Sequence, residues 1–519
     1  MNIAARLEQL AEPGGIYVSG KVAKEVEKKL AFAFEPMGEQ KVKNIAEPVQ
    51  VYKVKLEGPK VRPRPRRSRN TPLGVLAAST IAILLILVGF GAWLYRDLWV
   101  PAPQGLAEAP AAGMPKGPGV AVLPFVNLSG DANQEYFSDG LTEDILTELA
   151  RTPDLRVLAR NTTFQYKGKA VNVSKLGQEL GVRYVLEGSV RRAGDDLRVT
   201  AQLIDAENGA HIWADKFDRK MADVFLIQDE LVGKIVAKIA GGYGVIENTE
   251  AKSAARKSPD QTQAYDLVLR AHDVMAAWTH ESFSKAREFL RQAIALDPES
   301  ARARREIAWL AVVGLVSRLD EMPVPPQEIV AQASKAVQLD PSDGRAHMVA
   351  AAAYYFNKQL DLFEHEAEQA IALAPFDAES LATLGYMTAT SGNWPRGVAL
   401  AEKAHALNAD AAAGWYHAAL YLNYYLTGDY ERALELIGQD PNQESLYHYI
   451  DYLPILGALG RKAEALETWK KILAEDPTWT AESFEKWYKL WNIRDEDSAK
   501  LMEGIYKTGV LGVEAKPGQ

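Results

Sequence analysis

One phrase returns through the second half of the chain: "QAIALDPES", "KAVQLDPSD", "QAIALAPFD", "KAHALNADA" and "KKILAEDPTW" each bring a helical pattern to a turn. Its small-residue column falls at Ala293, Ala336, Ala370 and Ala404, in steps of 43, 34 and 34 residues, and a second column at Gly397, Ala433 and Ala465 steps by 36 and 32. A unit of that length holds a helix, a turn and a second helix, with the small residue where the two cross. One unit cannot bury its own apolar face, so such units must stack into a solenoid. Pro298, Pro341, Pro375 and Pro477 close four of the units, and Ala409 departs from the pattern. The long first step contains "EMPVPPQE", which reads as an inserted loop around Pro323, Pro325 and Pro326.

These spacings resemble the tetratricopeptide repeat over residues 258–510. The resemblance implies a concave face that binds a protein or peptide partner. Two aromatic clusters bear on that face: Tyr354, Tyr355 and Phe356, then Trp415, Tyr416, Tyr421, Tyr424 and Tyr425. They either line a groove or fill the space between helices. "HEAEQ" at His365 falls short of a zinc-protease motif, because Gln369 stands where the second imidazole is needed.

Between Arg69 and Arg96 run 26 residues without a charge, "NTPLGVLAASTIAILLILVGFGAWLY", against the roughly 20 that cross a hydrocarbon core. Apolar on all sides, the segment reads as a membrane-spanning helix over residues 72–97. Lys60, Arg62, Arg64, Arg66, Arg67 and Arg69 precede it, and Trp93, Tyr95 and Trp99 mark its far end. The positive-inside rule then places the N-terminus in the cytoplasm and residues after about 98 in the periplasm, a single pass through a bacterial inner membrane. The basic stretch 57–71 reads as a juxtamembrane linker, and the Pro/Ala/Gly stretch 98–118 as a semi-rigid spacer.

Residues 119–243 alternate strand and helix signals. "GVAVLPF" is a short buried strand, and "SDGLTEDILTELARTP" is a helix with Ser138 as its cap candidate and Leu141, Ile145, Leu146 and Leu149 at helical spacing. "LRVTAQLID" alternates Leu197, Val199, Ala201 and Leu203 with polar residues, as half of a hairpin does. "AVLPFVNLSGD", "YFSDGLTEDI", "LGVRYVLEGSVRR" and "FLIQDEL" resemble the TolB amino-terminal-like domain, which implies a fold and no reaction. Asp139, Glu143 and Asp144 read as first-turn acids favouring the helix dipole in preference to metal ligands.

Residues 1–56 run "MNIAARLEQLAEPGGIYVSG" to "FEPMGEQKVKNIAEPVQVYKV", which closely resembles the C-terminal end of a class III nucleotide cyclase domain. The resemblance implies that Asn2 orients the substrate ribose and that Arg6 stabilises charge at the α-phosphate as the 3′-oxygen attacks. Spacing i to i+4 puts both on one helix face. It further implies a substrate contact at Lys43, with Lys41 the alternative. The family's two metal-binding aspartates and its purine-selecting positions precede this motif. The Mg²⁺ or Mn²⁺ of a complete cyclase domain therefore has no ligand here, no cofactor is expected in this chain, and by itself it is expected to make no cyclic nucleotide. Met1 stands where the family commonly has Val or Ile, so the start is expected to lie inside a longer gene.

The chain is thus expected to be multidomain: an α/β cyclase remnant, a single transmembrane helix, an α/β TolB amino-terminal-like domain and an all-α tetratricopeptide solenoid. With no cysteine it has no disulfide, thiolate metal site or cysteine nucleophile, and a net charge of −9 argues against a nucleic-acid partner. Two functions fit. One is a membrane-anchored adenylate or guanylate cyclase of receptor architecture, dimeric when its cyclase domain is complete, with an outer region that senses a partner. The other is a membrane-tethered, non-enzymatic interaction scaffold.

Overall fold

A computed structural model describes residues 16–20, 22–23, 33–40, 49–55, 117–220, 223–241, 244–258, 262–317, 319, 323–408, 414–440 and 443–511. The chain divides into two units, Met1–Ala109 and Pro110–Gln519. In the first, β1 (Tyr17–Ser19), β2 (Ala33–Gln40) and β3 (Val49–Lys55) form an antiparallel sheet with β3 in the centre. β2, with Pro36 and Gly38 inside it, carries no strand signature. It irregularly skips register between Pro36 and Glu39, where Gly38 takes a positive φ.

The second unit begins with a mixed sheet ordered β6-β4-β7-β8-β9, from β4 (Gly119–Val122), β6 (Arg156–Val157), β7 (Tyr184–Ala193), β8 (Asp196–Asp205) and β9 (Ala210–Lys220). The two-residue β5 (Val126–Asn127) also pairs with β7. β4 is apolar at every position because it is covered on both faces. Val120 and Val122 meet α1 (Glu135–Leu149) and α4 (Val224–Ala240), while Ala121 packs with Leu176 of α3 (Val173–Leu180) on the other side. Helix α1 starts at Glu135, so Ser138 lies one turn inside it, buried, and Asp139, Glu143 and Asp144 fall outside its first turn. Two of the helix starts here are capped as sequence chemistry dictates: Asn172 accepts from the Lys175 amide, and Asp223 from those of Phe225 and Leu226, whereas α1 starts without a side-chain cap. Helices α2 (Arg160–Phe164) and α5 (Val245–Ala254) complete this part.

Helical pairs follow: α6 (Ala264–Met275) with α7 (His280–Leu296), α8 (Ala301–Ser317) with α9 (Pro326–Leu339), and α10 (Gly344–Phe356) with α11 (Leu360–Leu373). Next come α12 (Ala378–Thr390) with α13 (Trp394–Leu407), α14 (Ala418–Thr427) with α15 (Tyr430–Ile437), and α16 (Leu446–Ala458) with α17 (Lys462–Glu475). Ala293, Ala336, Ala370, Ala404, Ala433 and Ala465 are all fully buried at the crossings. At Gly397 a β-carbon would stand 2.5 Å from the Ala389 nitrogen, so the column there admits glycine alone. Helices α18 (Ala481–Leu490) and α19 (Asp495–Thr508) finish the chain, α19 lying along α16.

Two expectations need correction: the transmembrane helix in the fold class, and with it the single-pass inner-membrane placement. Among the described residues no helix is long and apolar enough to cross a membrane. The longest, α4, α7 and α8, have 17 residues, about 25 Å at 1.5 Å per residue, and each carries charged side chains. The uncharged run at 72–97 lies outside the described residues. The fold class becomes predominantly helical, with a sheet-bearing α/β part preceding the helical pairs.

Candidate functional site

Asn2, Arg6, Lys41 and Lys43 lie outside the described residues, as does the side chain of Trp415. Within α1 the acids go separate ways. Asp139 takes the Lys167 ammonium at 2.6 Å, Glu143 pairs with Arg160 at 3.4 Å, and Asp144 accepts from Gln228. Among the described residues no group of three His, Asp or Glu side chains could hold a metal ion. The imperfect "HEAEQ" motif resolves differently: Glu366 pairs with the His347 ring at 2.5 Å.

What the fold does gather is a charged joint between the α/β part and one rim of the helical pairs. Arg302 and Arg305 open α8, Arg345 opens α10, and Asp377 precedes α12, which carries Glu379 in its first turn. Asp343 and Asp377 are 34 residues apart, so the repeat itself delivers both to the same rim. Opposite stands Asp154, in the turn after α1. Arg305 reaches it at 3.0 Å while also bonding Asp343 and Glu306, and Arg302 reaches it at 3.5 Å and Glu247 of α5 at 2.6 Å. Arg345 bonds Glu379 at 2.8 Å. Helix α5 carries the network back to the sheet, where Glu250 accepts from Arg183 at 2.8 Å and from the Tyr184 hydroxyl at 2.7 Å.

Three guanidinium groups here (Arg302, Arg305, Arg345) face six carboxyls (Asp154, Glu247, Glu306, Asp343, Asp377, Glu379), so full ionisation would leave net negative charge in a buried place. Burial works to raise Asp154, but Arg302 and Arg305 hold it at about 2. Glu379, behind them, is pushed by burial up to about 8, against the pull of Arg345 and with Asp377, Glu247 and Glu306 adding to the rise. From 4.5 to about 8 the folded chain therefore keeps a proton that the unfolded chain releases, and stability falls as pH rises through that window. The Glu379→Gln variant is expected to lose this decline: its advantage over the parent in urea unfolding should grow from about pH 5 to pH 9. Parallel pH profiles would show that Glu379 is ionised throughout.

A second assembly lies where α10 and α12 meet the turn after α18. Trp491 packs edge-on to Phe356 at 5.2 Å and Tyr386 at 4.8 Å, tilted to Tyr355 at 6.4 Å, and beside Trp487 at 5.9 Å. The Tyr355 hydroxyl bonds Thr390 at 2.8 Å and donates to the Trp491 carbonyl. Lys358 donates to the carbonyls of Lys489 (2.7 Å) and Leu490 (3.1 Å) and to the side chain of Asn492 (2.7 Å), and Asn492 donates to the Tyr355 carbonyl at 2.9 Å. Nearby, burial pushes Asp451 up to about 6 although it accepts the Tyr421 hydroxyl at 2.7 Å. Of the aromatic residues singled out by sequence, Tyr355 and Phe356 belong to this box. Tyr354 bonds Ser334, Tyr425 donates to the Lys500 carbonyl, and Tyr424 lies under Arg432. The sequence reading missed Lys358, Trp487, Trp491 and Asn492. Its available signal was the four-residue spacing of Trp487, within α18, and Trp491, which caps that helix.

With both assemblies in view, the chain can be set beside known proteins. Residues 117–234 match the family described as HilA/YgeH-like transcriptional regulator, second domain. A protein of Rhizobium meliloti (strain 1021) named putative adenylate cyclase 3 is 33% identical over 366 residues, 70% of this chain and 55% of that protein. The chain thus spans about half the length of this curated relative. Among solved structures, lipoprotein GNA1162 from Neisseria meningitidis is 23% identical with a TM-score of 0.20, covering 24% of this chain and 99% of its own. TolB from Acinetobacter baumannii is 18% identical with a TM-score of 0.18, covering 24% and 31%. At such scores neither carries an argument about this chain.

Proposed function

We propose that the chain is part of a cyclase-related signalling protein, in which tetratricopeptide-like helical pairs receive a partner and the α/β part acts as a rigid block beside them. The observation that carries this reading is the 33% identity to a putative adenylate cyclase across 70% of the chain. Residues 1–56 fit the proposal as the end of a class III cyclase domain, with Asn2 at the ribose, Arg6 at the α-phosphate and Lys43 a further substrate contact. The partner of the helical pairs is a protein or peptide, and a completed cyclase domain works as a dimer. Mg²⁺ or Mn²⁺ would supply activation of the 3′-hydroxyl and charge neutralisation at the triphosphate. By the same resemblance its aspartate ligands lie on the segment that precedes the Asn2 motif in the family. The part of this chain is then to position nucleotide with Asn2 and Arg6 and to couple partner binding to the cyclase end.

The test is cyclic AMP and cyclic GMP formation from ATP and GTP with Mg²⁺ or Mn²⁺. The chain alone is expected to stay at background, and co-expression with a class III cyclase domain that keeps its metal-binding aspartates but has its own transition-state asparagine and arginine replaced by alanine is expected to give turnover that Arg6→Ala lowers by about 100-fold. Background in both settings would favour the non-enzymatic interaction scaffold, and turnover by the chain alone would overturn the assignment of its missing ligands.

A further inference from the structure

The turn that joins the two helices of a pair recurs every 32 to 36 residues, and in three pairs it holds glycine in the left-handed region: Gly392 at φ +108°, Gly428 at +91° and Gly460 at +70°. In the α10–α11 turn, 34 residues before Gly392, the same conformation is taken by Lys358 at +62°, and in the α6–α7 turn Trp278 is left-handed at +46°. A residue with a β-carbon is disfavoured there by about 1–2 kcal/mol, and its neighbours show that the turn is made well by glycine. What sets the lysine apart is what its side chain reaches. That side chain crosses 131 residues of sequence to bond two carbonyls at the end of α18, where a cation opposes the negative end of the helix dipole, and it reaches Asn492, also left-handed at +51°. Desolvation lowers the pKa of Lys358, although the residue as a whole stays exposed.

The Trp491 ring occupies the aromatic box between α10 and α12, yet its indole nitrogen is buried with no hydrogen-bond partner, as is the Tyr488 hydroxyl. Both would find partners in water, so the seated segment is imperfectly satisfied in its place. A lysine held in the left-handed region, together with donors left without partners, marks a contact maintained against local preference.

We propose that Lys358, Tyr355 and the rings of Phe356 and Tyr386 form a receptor for the C-terminal end of a tryptophan-bearing helix, occupied here by the chain's own α18 tip, and that the partner is a helical peptide presenting the same end. The chemistry of that partner is read from the occupant. It offers an indole for the box, helix-end carbonyls for the lysine and tyrosine, and a following side-chain amide for the Tyr355 carbonyl. The proposal rests on the reading of the helical pairs as a partner-binding surface. Its test uses the chain's own segment and no cyclase readout, so it fails or succeeds apart from the cyclase-related reading.

The probe is a fluorescein-labelled peptide of residues 481–494, titrated by anisotropy into the full chain. Trp491→Ala, which empties the box, is expected to bind it at least about tenfold more tightly than the parent, whose box is filled. The double variant Trp491→Ala with Lys358→Gly is expected to lose that gain. Lys358→Gly alone keeps a backbone the turn accepts, and amide exchange of residues 489–494 should speed by about tenfold while α10 and α11 stay protected. Equal binding by the parent, single and double variants would overturn the proposal, as would no binding by Trp491→Ala. A Trp491→Ala chain that does not fold would overturn it too, because a tip that a partner can replace must be dispensable to the fold.

Discussion

Arg305→Ala is expected to destabilise the second unit by about 3–5 kcal/mol, among the largest effects any single substitution in this chain should have. The Arg305 side chain is 1% exposed and lies between Asp343, whose side chain is 4% exposed, and Asp154, held at about 2 by its arginines. Removing the guanidinium leaves the Asp343 carboxylate out of water without its countercharge, and leaves the half-buried Asp154 to Arg302 alone, at 3.5 Å and shared with Glu247. The loss should grow with pH above the usual carboxylate range and shrink below it, where the stranded acids take up protons. Urea unfolding at neutral pH followed by circular dichroism reads it. A change below about 1 kcal/mol would mean that the joint is wet and the pairing worth no more than a surface salt bridge.

Gly457→Ala is the second. Helices α16 and α19 meet backbone to backbone at Gly457 and Gly504: a β-carbon on Gly457 would fall 1.8 Å from the Gly504 carbonyl oxygen, and one on Gly504 would fall 2.3 Å from the Tyr425 hydroxyl. Alanine inside a helix is worth about 1 kcal/mol more than glycine, so the substitution starts with an intrinsic gain. The clash overrides it, because neither backbone can yield without moving a whole helix away from a core that includes Leu453, Leu456, Leu501 and Ile505. A net loss of about 1–3 kcal/mol is expected, visible as a lowered Tm. Gly428→Ala is the control. Its β-carbon would meet nothing within 4 Å, so it tests the cost of the left-handed backbone alone, about 1 kcal/mol. Equal shifts for the two variants would remove the close crossing as a cause.

The parts of the fold that periodicity specifies were legible. The alternation in "LRVTAQLID" became β8, the uniformly apolar "GVAV" became a strand covered on both faces, and the alanine column landed at the helix crossings because only a small side chain fits there. Helix starts were less legible. Ser138 looked like a cap by type, yet the helix began at Glu135, with Tyr136 and Phe137 extending it backwards and Ser138 buried within. The charged joint could not be read at all, since Asp154 and Arg305 are 151 residues apart and each looks like an ordinary surface charge in its own segment. Lys358 was hidden for the opposite reason. Its place in the repeat was visible, but the departure from glycine means something only once Asn492 and the end of α18 are seen across from it.

Asp343 has a consequence for how the two layers of the second unit behave together. One of its oxygens accepts from the backbone amides of Arg345 and Ala346 and so starts α10, and the other takes the guanidinium of Arg305. A single carboxylate is thus both a rivet between neighbouring helical pairs and the first thread of a helix. Any force that draws Arg305 toward Asp154 tugs on the opening turn of α10, at whose far end Tyr355 and Phe356 face Trp491. Motion at the joint would then arrive at the aromatic box as a small axial push through a helix of 13 residues, about 20 Å long, stiff enough to deliver it.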